Sequence, residues 1–126
     1  MSTELDKPQI EFHAGPAPDS LDITDIVLGA GDEATKGSEV EVHYVGVTYS
    51  TGEEFDASWN RDKPFTFSVG GGKVIQGWDM GVEGMKVGGR RKLVIPPHLG
   101  YGDGGAGQVI KPGETLIFIV DLLAVK

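Results

Sequence analysis

Phe65-Thr66-Phe67-Ser68-Val69-Gly70-Gly71-Gly72-Lys73-Val74-Ile75-Gln76-Gly77-Trp78-Asp79-Met80-Gly81-Val82-Glu83-Gly84-Met85 opens residues 65–95, a stretch whose apolar period changes twice. It starts with period two. Phe65, Phe67 and Val69 alternate with Thr66 and Ser68, as in a half-buried strand. Three glycines break the alternation. From Lys73 onward Val74, Trp78, Val82 and Met85 follow at spacings of four, four and three, one face of a short helix. Gly77, Gly81 and Gly84 each weaken that helix by up to ~1 kcal/mol relative to alanine. Close packing against a sheet would tolerate them. Gly88 and Gly89 are expected to end the helix, and residues 91–95 return to strand before Pro96-Pro97 stops them.

The same reading extends outward. Residues 21–28 alternate well enough for a strand, with Leu21, Ile23 and Ile26 on one side. Residues 39–49 form a clearer one, with Val40, Val42 and Tyr44 opposite Glu39, Glu41 and His43. After Gly46 the apolar phase moves to Val45, Val47 and Tyr49, which a bulge or a change of neighbour would explain. Ser50-Thr51-Gly52 is turn chemistry, Phe55 resumes extended chain, and residues 60–64 are a polar loop. Residues 115–125 are the strongest strand, with Leu116, Phe118, Val120 and Leu122 facing one way and Ile117, Ile119 and Leu123 the other. About five amphipathic strands joined by turns favour an antiparallel sheet, and one helix is left to cover its apolar face. The fold class is α+β.

At 126 residues and 13.4 kDa the chain has room for one domain with one core. Glycine, at 20 residues, is the outlier, more than twice its usual ~7% share. This is a turn-rich globular composition. With no cysteine, disulfides, thiolate zinc sites and thiol nucleophiles are excluded together. No apolar run approaches the ~18 residues of a membrane span. The start, MSTELDKPQIEF, lacks the basic and apolar regions of a secretory signal, so a cytoplasmic protein is expected. The net charge of −8 sits entirely in residues 1–41, which hold ten acids and two lysines; the remainder has nine acids and nine bases. Nucleic acid and anionic membrane are therefore poor partners. Residues 1–20 read as a flexible acidic arm that aids solubility, with residues 21–126 as the domain.

Several chemistries find no support. His13, His43 and His98 have no ligand spacing, so each is expected to be structural or exposed, and no metal or other cofactor is expected. Gly102-Asp103-Gly104-Gly105-Ala106-Gly107 matches a dinucleotide fingerprint, but no strand precedes it and no helix follows. Gly70-Gly71-Gly72-Lys73 lacks the outer glycine and the hydroxyl residue of a P-loop. Arg90-Arg91-Lys92 reads as a solvated strand face. The glycine-rich loop 97–113 is longer than the ~12–15 residues usual for an idle connection. It carries Leu99, Tyr101, Val109 and Ile110, as a loop folded over something would.

The aromatic residues Tyr44, Phe55, Phe65, Phe67, Trp78, Tyr101 and Phe118 would ordinarily be core. They sit, however, in an ordered series: Val42-His43-Tyr44-Val45-Gly46, Phe55-Asp56-Ala57-Ser58, Arg61, Lys63-Pro64-Phe65, Val74-Ile75-Gln76-Gly77-Trp78-Asp79, Gly84-Met85-Lys86-Val87-Gly88, Ile95-Pro96-Pro97, Tyr101-Gly102, and Pro112-Gly113-Glu114-Thr115-Leu116-Ile117-Phe118. From residue 21 to residue 126 the chain resembles the FKBP-type peptidyl-prolyl isomerases, the macrolide-binding immunophilins. The resemblance implies a strongly bent antiparallel sheet of about five to six strands wrapped around one short α-helix, with a pocket between them. It implies Trp78 as the pocket floor and Tyr44, Phe65 and Phe118 as walls. Phe55, Val74 and Ile75 would stand alongside, and Tyr101 and Ile110 would come from the long loop. The Ile75 N–H and the Tyr101 hydroxyl would donate to ligand carbonyls. Asp56 would be a buried polar group held by Tyr44 and paired with Arg61.

The activity so implied is acceleration of rotation about X–Pro bonds in proline-containing polypeptides, in support of protein folding. FK506 or rapamycin would act as inhibitors, and no metal or covalent intermediate would take part. The catalytic set would be Tyr44, Phe55, Asp56, Phe65, Trp78, Tyr101 and Phe118. The other reading is a non-catalytic module that binds proline-containing segments. A minimal one-domain, monomeric member is expected, without the inserted chaperone flap or the histidine-rich tail of some relatives. The chain departs from the family pattern at Ala106, often histidine, at Trp59, often polar, and at Lys111, often proline.

Overall fold

Six strands and one helix organise the computed structural model, which describes residues 7–10, 15–105 and 110–126. The strands are β1 (Asp22–Val27), β2 (Glu39–Thr48), β3 (Glu54–Ala57), β4 (Phe65–Ser68), β5 (Arg90–Ile95) and β6 (Leu116–Val125); the helix is α1 (Gln76–Val82). They form one sheet in the order β1-β5-β6-β2-β3, and every pairing is antiparallel. β2 is long enough to take two partners on its outer edge. Residues 39–42 pair with β4 and residues 45–47 with β3.

The apolar phase shift along β2 comes from burial on both faces. From Val42 to Thr48 the register against β6 is unbroken, its irregularity lying earlier, between Glu41 and Val42; on the outer edge the partner changes from β4 to β3 and the register against β3 shifts between Gly46 and Val47. Val40, Val42 and Tyr44 face the main core, and Val45 and Val47 face a second cluster with Ala57, Val94 and Ile117. Gly46 continues the main-core face without a side chain. A Cβ there would stand 2.6 Å from Phe118 Cε1 and 2.7 Å from Phe55 Cζ. The apolar phase therefore disappears at Gly46 because two aromatic rings occupy that space.

The helix is shorter than the spacing predicts. It ends at Val82, and Gly84, at φ +91°, turns the chain out of it. The Gly84 N–H donates to the Ala34 carbonyl at 2.8 Å, and the backbones of Glu33 and Lys86 form an isolated antiparallel β-bridge. Met85 thus enters the core from a turn. Arg91 serves the helix C-terminus in place of a local cap. Its Nη1 donates to the Gly81 and Glu83 carbonyls at 2.9 and 3.1 Å, and its Nε to Asp25 at 2.7 Å. Arg90 makes a two-pronged pair with Asp121, whose side chain is 5% exposed. The two arginines are therefore structural groups and not the solvated face expected of them. β1 is an exposed edge strand. Leu21 reaches the main core, whereas Ile23 and Ile26, at 42% and 50% exposure, do not.

The helix approaches the sheet through its glycines. A Cβ on Gly77 would lie 2.6 Å from Ile95 Cγ2, and one on Gly81 2.6 Å from Leu93 Cδ2. Both partners are fully buried. Gly81→Ala gains up to ~1 kcal/mol of helix propensity but must displace a close-packed leucine, which costs about 1–3 kcal/mol. Urea denaturation is expected to show a net loss of about 1–2 kcal/mol. An unchanged or raised midpoint would show that helix and sheet can separate freely.

Candidate active site

Four segments meet above the N-terminal turn of α1. Tyr44 comes from β2, Phe55 and Asp56 from β3, Phe65 from β4, and Phe118 from β6. With Lys73, Val74, Ile75, Trp78 and Tyr101 they line a cleft of about 210 Å³. Of the residues singled out from sequence, Arg61 and Ile110 do not line it. Arg61 stands behind Asp56 and Tyr44, and Ile110 is buried in the main core. Lys73 lines the cleft and was not singled out. Ala106 lies outside the described residues, and Lys111 is exposed.

Trp78 is the hub. Its ring lies 4.8 Å from Tyr44, 5.2 Å from Phe118, 5.6 Å from Phe67 and 6.0 Å from Phe65, mostly edge to face. Phe118 meets Phe55 edge-on at 5.4 Å. Edge-to-face pairs use the positive ring edge against a negative face and add about 0.5–1.5 kcal/mol each beyond burial. Such packing makes the floor and walls a rigid apolar surface. Phe65 and Tyr101, at 37% and 40% exposure, form the rim.

The approach to the helix is held from within. Both carboxylate oxygens of Asp79 accept backbone N–H groups of the triple-glycine loop, from Gly70 at 2.9 Å and Gly72 at 3.1 Å. This fixes the loop that delivers Lys73, Val74 and Ile75 to the cleft. A carboxylate in the first helical turn beside donor-rich glycines was the available sequence signal, and it was missed. The Ile75 carbonyl accepts from Trp78 and Asp79, starting the helix. The Ile75 N–H finds no partner among the described residues.

One polar triangle interrupts the aromatic wall. The Tyr44 hydroxyl donates to Asp56 Oδ2 at 2.5 Å. Arg61 Nη1 donates to Asp56 Oδ1 at 2.7 Å, and its Nη2 to the Tyr44 hydroxyl at 2.8 Å. Arg61 closes a single 3-10 turn, Ser58–Arg61. That turn is anchored on the other side of the sheet: Ser58 Oγ accepts the Tyr44 N–H at 2.7 Å and meets His43 Nδ1 at 2.8 Å, while Trp59 stacks on His43 at 4.2 Å. Trp59 therefore belongs to the second cluster. Asp56 is not the buried group expected, since its side chain is 40% exposed.

Burial, and then the hydrogen bond to Asp56, push the Tyr44 hydroxyl up to about 12. Burial alone would raise the Asp56 carboxyl. The hydrogen bonds from Arg61 and Tyr44, with the Arg61 charge, outweigh it and hold the carboxyl below its ordinary value. At neutral pH the triangle is thus a neutral phenol between a carboxylate and a guanidinium.

The class follows from this geometry: a small α+β domain whose preformed aromatic cleft can seat an apolar ring while a few fixed polar groups hold the chain around it. The family model for FKBP-type peptidyl-prolyl cis-trans isomerases matches residues 31–123, and the chain belongs to that family. It is 61% identical over 122 residues to an FK506-binding protein of Streptomyces anulatus, covering 96% of this chain and 98% of that one. It is 54% identical over 120 residues to a probable FK506-binding protein of Corynebacterium glutamicum, covering 95% and 99%. The crystal structure of AtFKBP13 superposes with a TM-score of 0.78 at 43% identity, covering 87% of this chain and 96% of that one.

The triangle gives a pH signature. The depressed Asp56 carboxyl contributes stability that is present above the ordinary carboxylate value, about 3.9, and is lost as pH falls through its lowered native value. Asp56→Asn is therefore expected to cost at most about 1 kcal/mol at pH 7, given the exposure of the pair. The gap from wild type should close below pH ~4. Tyr44 acts at the other end: its contribution is complete below 10.0 and fades as pH rises through about 12. Denaturation midpoints from pH 2 to 8 check the acid limb, and a gap that persists at pH 2 would rule out the Asp56 carboxylate as its source.

Proposed function

We propose that this isomerase turns the X–Pro bond in the cleft above Trp78, with the prolyl ring seated between Tyr44, Phe55, Phe65, Val74 and Phe118. The carrying observation is the Trp78-centred aromatic set, which presents an apolar surface in a preformed cleft. Amide resonance sets a barrier of roughly 18–20 kcal/mol for rotation. The twisted amide has lost that resonance and much of its dipole. A surface poor in water favours it relative to the planar form, and only such differential stabilisation raises the rate. No bond has to break. The Ile75 N–H and Tyr101 hydroxyl hold flanking carbonyls while the ring turns, and Ile110 supports the loop that carries Tyr101. Asp56, kept charged by Arg61, orients Tyr44 and transfers no proton. A rate gain of ~10⁵ corresponds to about 7 kcal/mol.

The same cleft is the proposed site for FK506 or rapamycin, which would compete with proline-containing polypeptides; the two bacterial relatives, an FK506-binding protein and a probable one, support this. The working form is taken as a cytoplasmic monomer. Among the described residues no helix is long and apolar enough to cross a membrane. Residues 21–126 are proposed as the functional unit. Ahead of them, Ile10 packs on the second cluster and Lys7 pairs with Glu54 at 3.0 Å, away from the cleft.

Catalysed cis-to-trans isomerisation of a Leu-Pro-Phe peptide tests the assignment. Tyr101→Phe is expected to lower kcat/KM by about two- to tenfold, one hydrogen bond, with the melting temperature unchanged. Phe118→Ala should lower it more than about tenfold, read under conditions where circular dichroism confirms the fold, because truncating a buried phenylalanine costs about 3–5 kcal/mol. Full activity in both variants would move the site elsewhere. Deleting residues 1–20 should lower stability by about 1 kcal/mol while leaving kcat/KM within about twofold. A large loss of rate from the folded truncated protein would make those residues part of the site.

A further inference from the structure

Lys73 gives the cleft a charge that no described residue on its walls cancels. The other charged lining residue is Asp56, and Arg61 already neutralises it at 2.7 Å. Tyr44 stays neutral at physiological pH. Among the described residues Lys73 has no ion pair and no hydrogen-bonded partner, and it is exposed. Its backbone is not free to wander. It follows Gly72, whose N–H is tied to Asp79, and precedes Val74 and Ile75, both cleft residues. The backbone that carries this lysine is therefore held at the cleft by a loop of defined conformation. The acid surplus of the chain lies in residues 1–41, and among the described residues none of that segment lines the cleft.

We propose that Lys73 makes this isomerase favour segments carrying an acidic side chain next to the proline. The inference rests on the cleft being the isomerase site. A carboxylate on a residue flanking the bound proline can approach the ammonium while the ring occupies the apolar floor. A basic residue in the same place meets an uncompensated like charge. At contact distance in water the attraction is worth about a fivefold change in an equilibrium constant. Mobility of an exposed lysine lowers this, so a preference of about two- to fivefold is the expected scale. Because the ammonium is solvated, the preference must be screened by salt.

The test compares kcat/KM for peptides with Glu, Gln or Lys directly before proline, and for a second set with the same residues directly after it. Leu-Pro-Phe serves as the reference. The wild type is expected to prefer Glu over Gln over Lys by about two- to fivefold per step in one set, shrinking below about twofold at 1 M salt. Lys73→Arg should keep the order and Lys73→Glu should invert it. Ratios are compared within each variant, so a uniform change in rate cancels. A Glu-to-Lys ratio unaffected by Lys73→Glu in both sets, or insensitive to salt, would overturn the proposal while activity on Leu-Pro-Phe left the site standing. Full activity of Phe118→Ala on Leu-Pro-Phe would instead overturn the site assignment.

Discussion

The contact between α1 and β5 is the constraint on which the rest depends. One seven-residue helix has to cover the apolar face of a six-stranded sheet. A helix that short has no independent stability, so packing must hold it. Gly77 and Gly81, one turn apart, remove side chains from the contacting face and let the backbone settle onto Ile95 and Leu93. The approach brings Trp78 down among the β2, β4 and β6 aromatics. Larger residues at those two positions would lift the helix and open the floor of the cleft. Arg91 reinforces the same contact from the sheet side by binding the Gly81 and Glu83 carbonyls.

The cleft then divides into two parts with different physics. Its floor and walls are aromatic rings packed edge to face, a surface set by shape and little affected by pH or salt. Its polar edge is the Tyr44–Asp56–Arg61 triangle, in which each member fixes the charge state of another. The Asp56–Arg61 pair is about half exposed, so its value lies in holding the buried Tyr44 in place more than in stability. Its anchor runs through the sheet. Ser58 and Trp59, beside Arg61 in the same turn, are held by His43 on the opposite face from Tyr44. Neighbouring residues of β2 thus support one turn from both sides.

How far the sequence could be read depended on the range of the interaction involved. The alternation in β4 and β6 and the spacing of Trp78 and Val82 are local patterns, and each became the element expected; Val74, on the same spacing, lies in the loop before the helix. Met85 kept the helical spacing yet lies in a turn, because the positive φ of Gly84 and its bond to Ala34 are tertiary facts. Arg90 and Arg91 read as solvated because their partners, Asp121 and Asp25, are 31 and 66 residues away in the chain. The shift in β2 reads as a bulge or a change of neighbour, and its outer edge has both, but a glycine shows only that a side chain is missing, not which rings fill the space. Lys73 was passed over for a similar reason, since a lysine after three glycines has no local feature that points at a cleft.

By itself the sequence determined the element types, the α+β class, the absence of thiol chemistry and, through an ordered series of motifs, the family. These follow from local periodicity and residue identity, which survive without coordinates. Only the tertiary structure decided where the helix stops, that β2 is buried on both faces, that Arg61 and Ile110 stand behind the cleft, and that Asp79 holds the loop bearing Lys73. Each of those depends on distances between groups far apart in the chain. The close approach of backbone at Gly77, Gly81 and Gly46 sets those distances, and a one-dimensional pattern does not contain them.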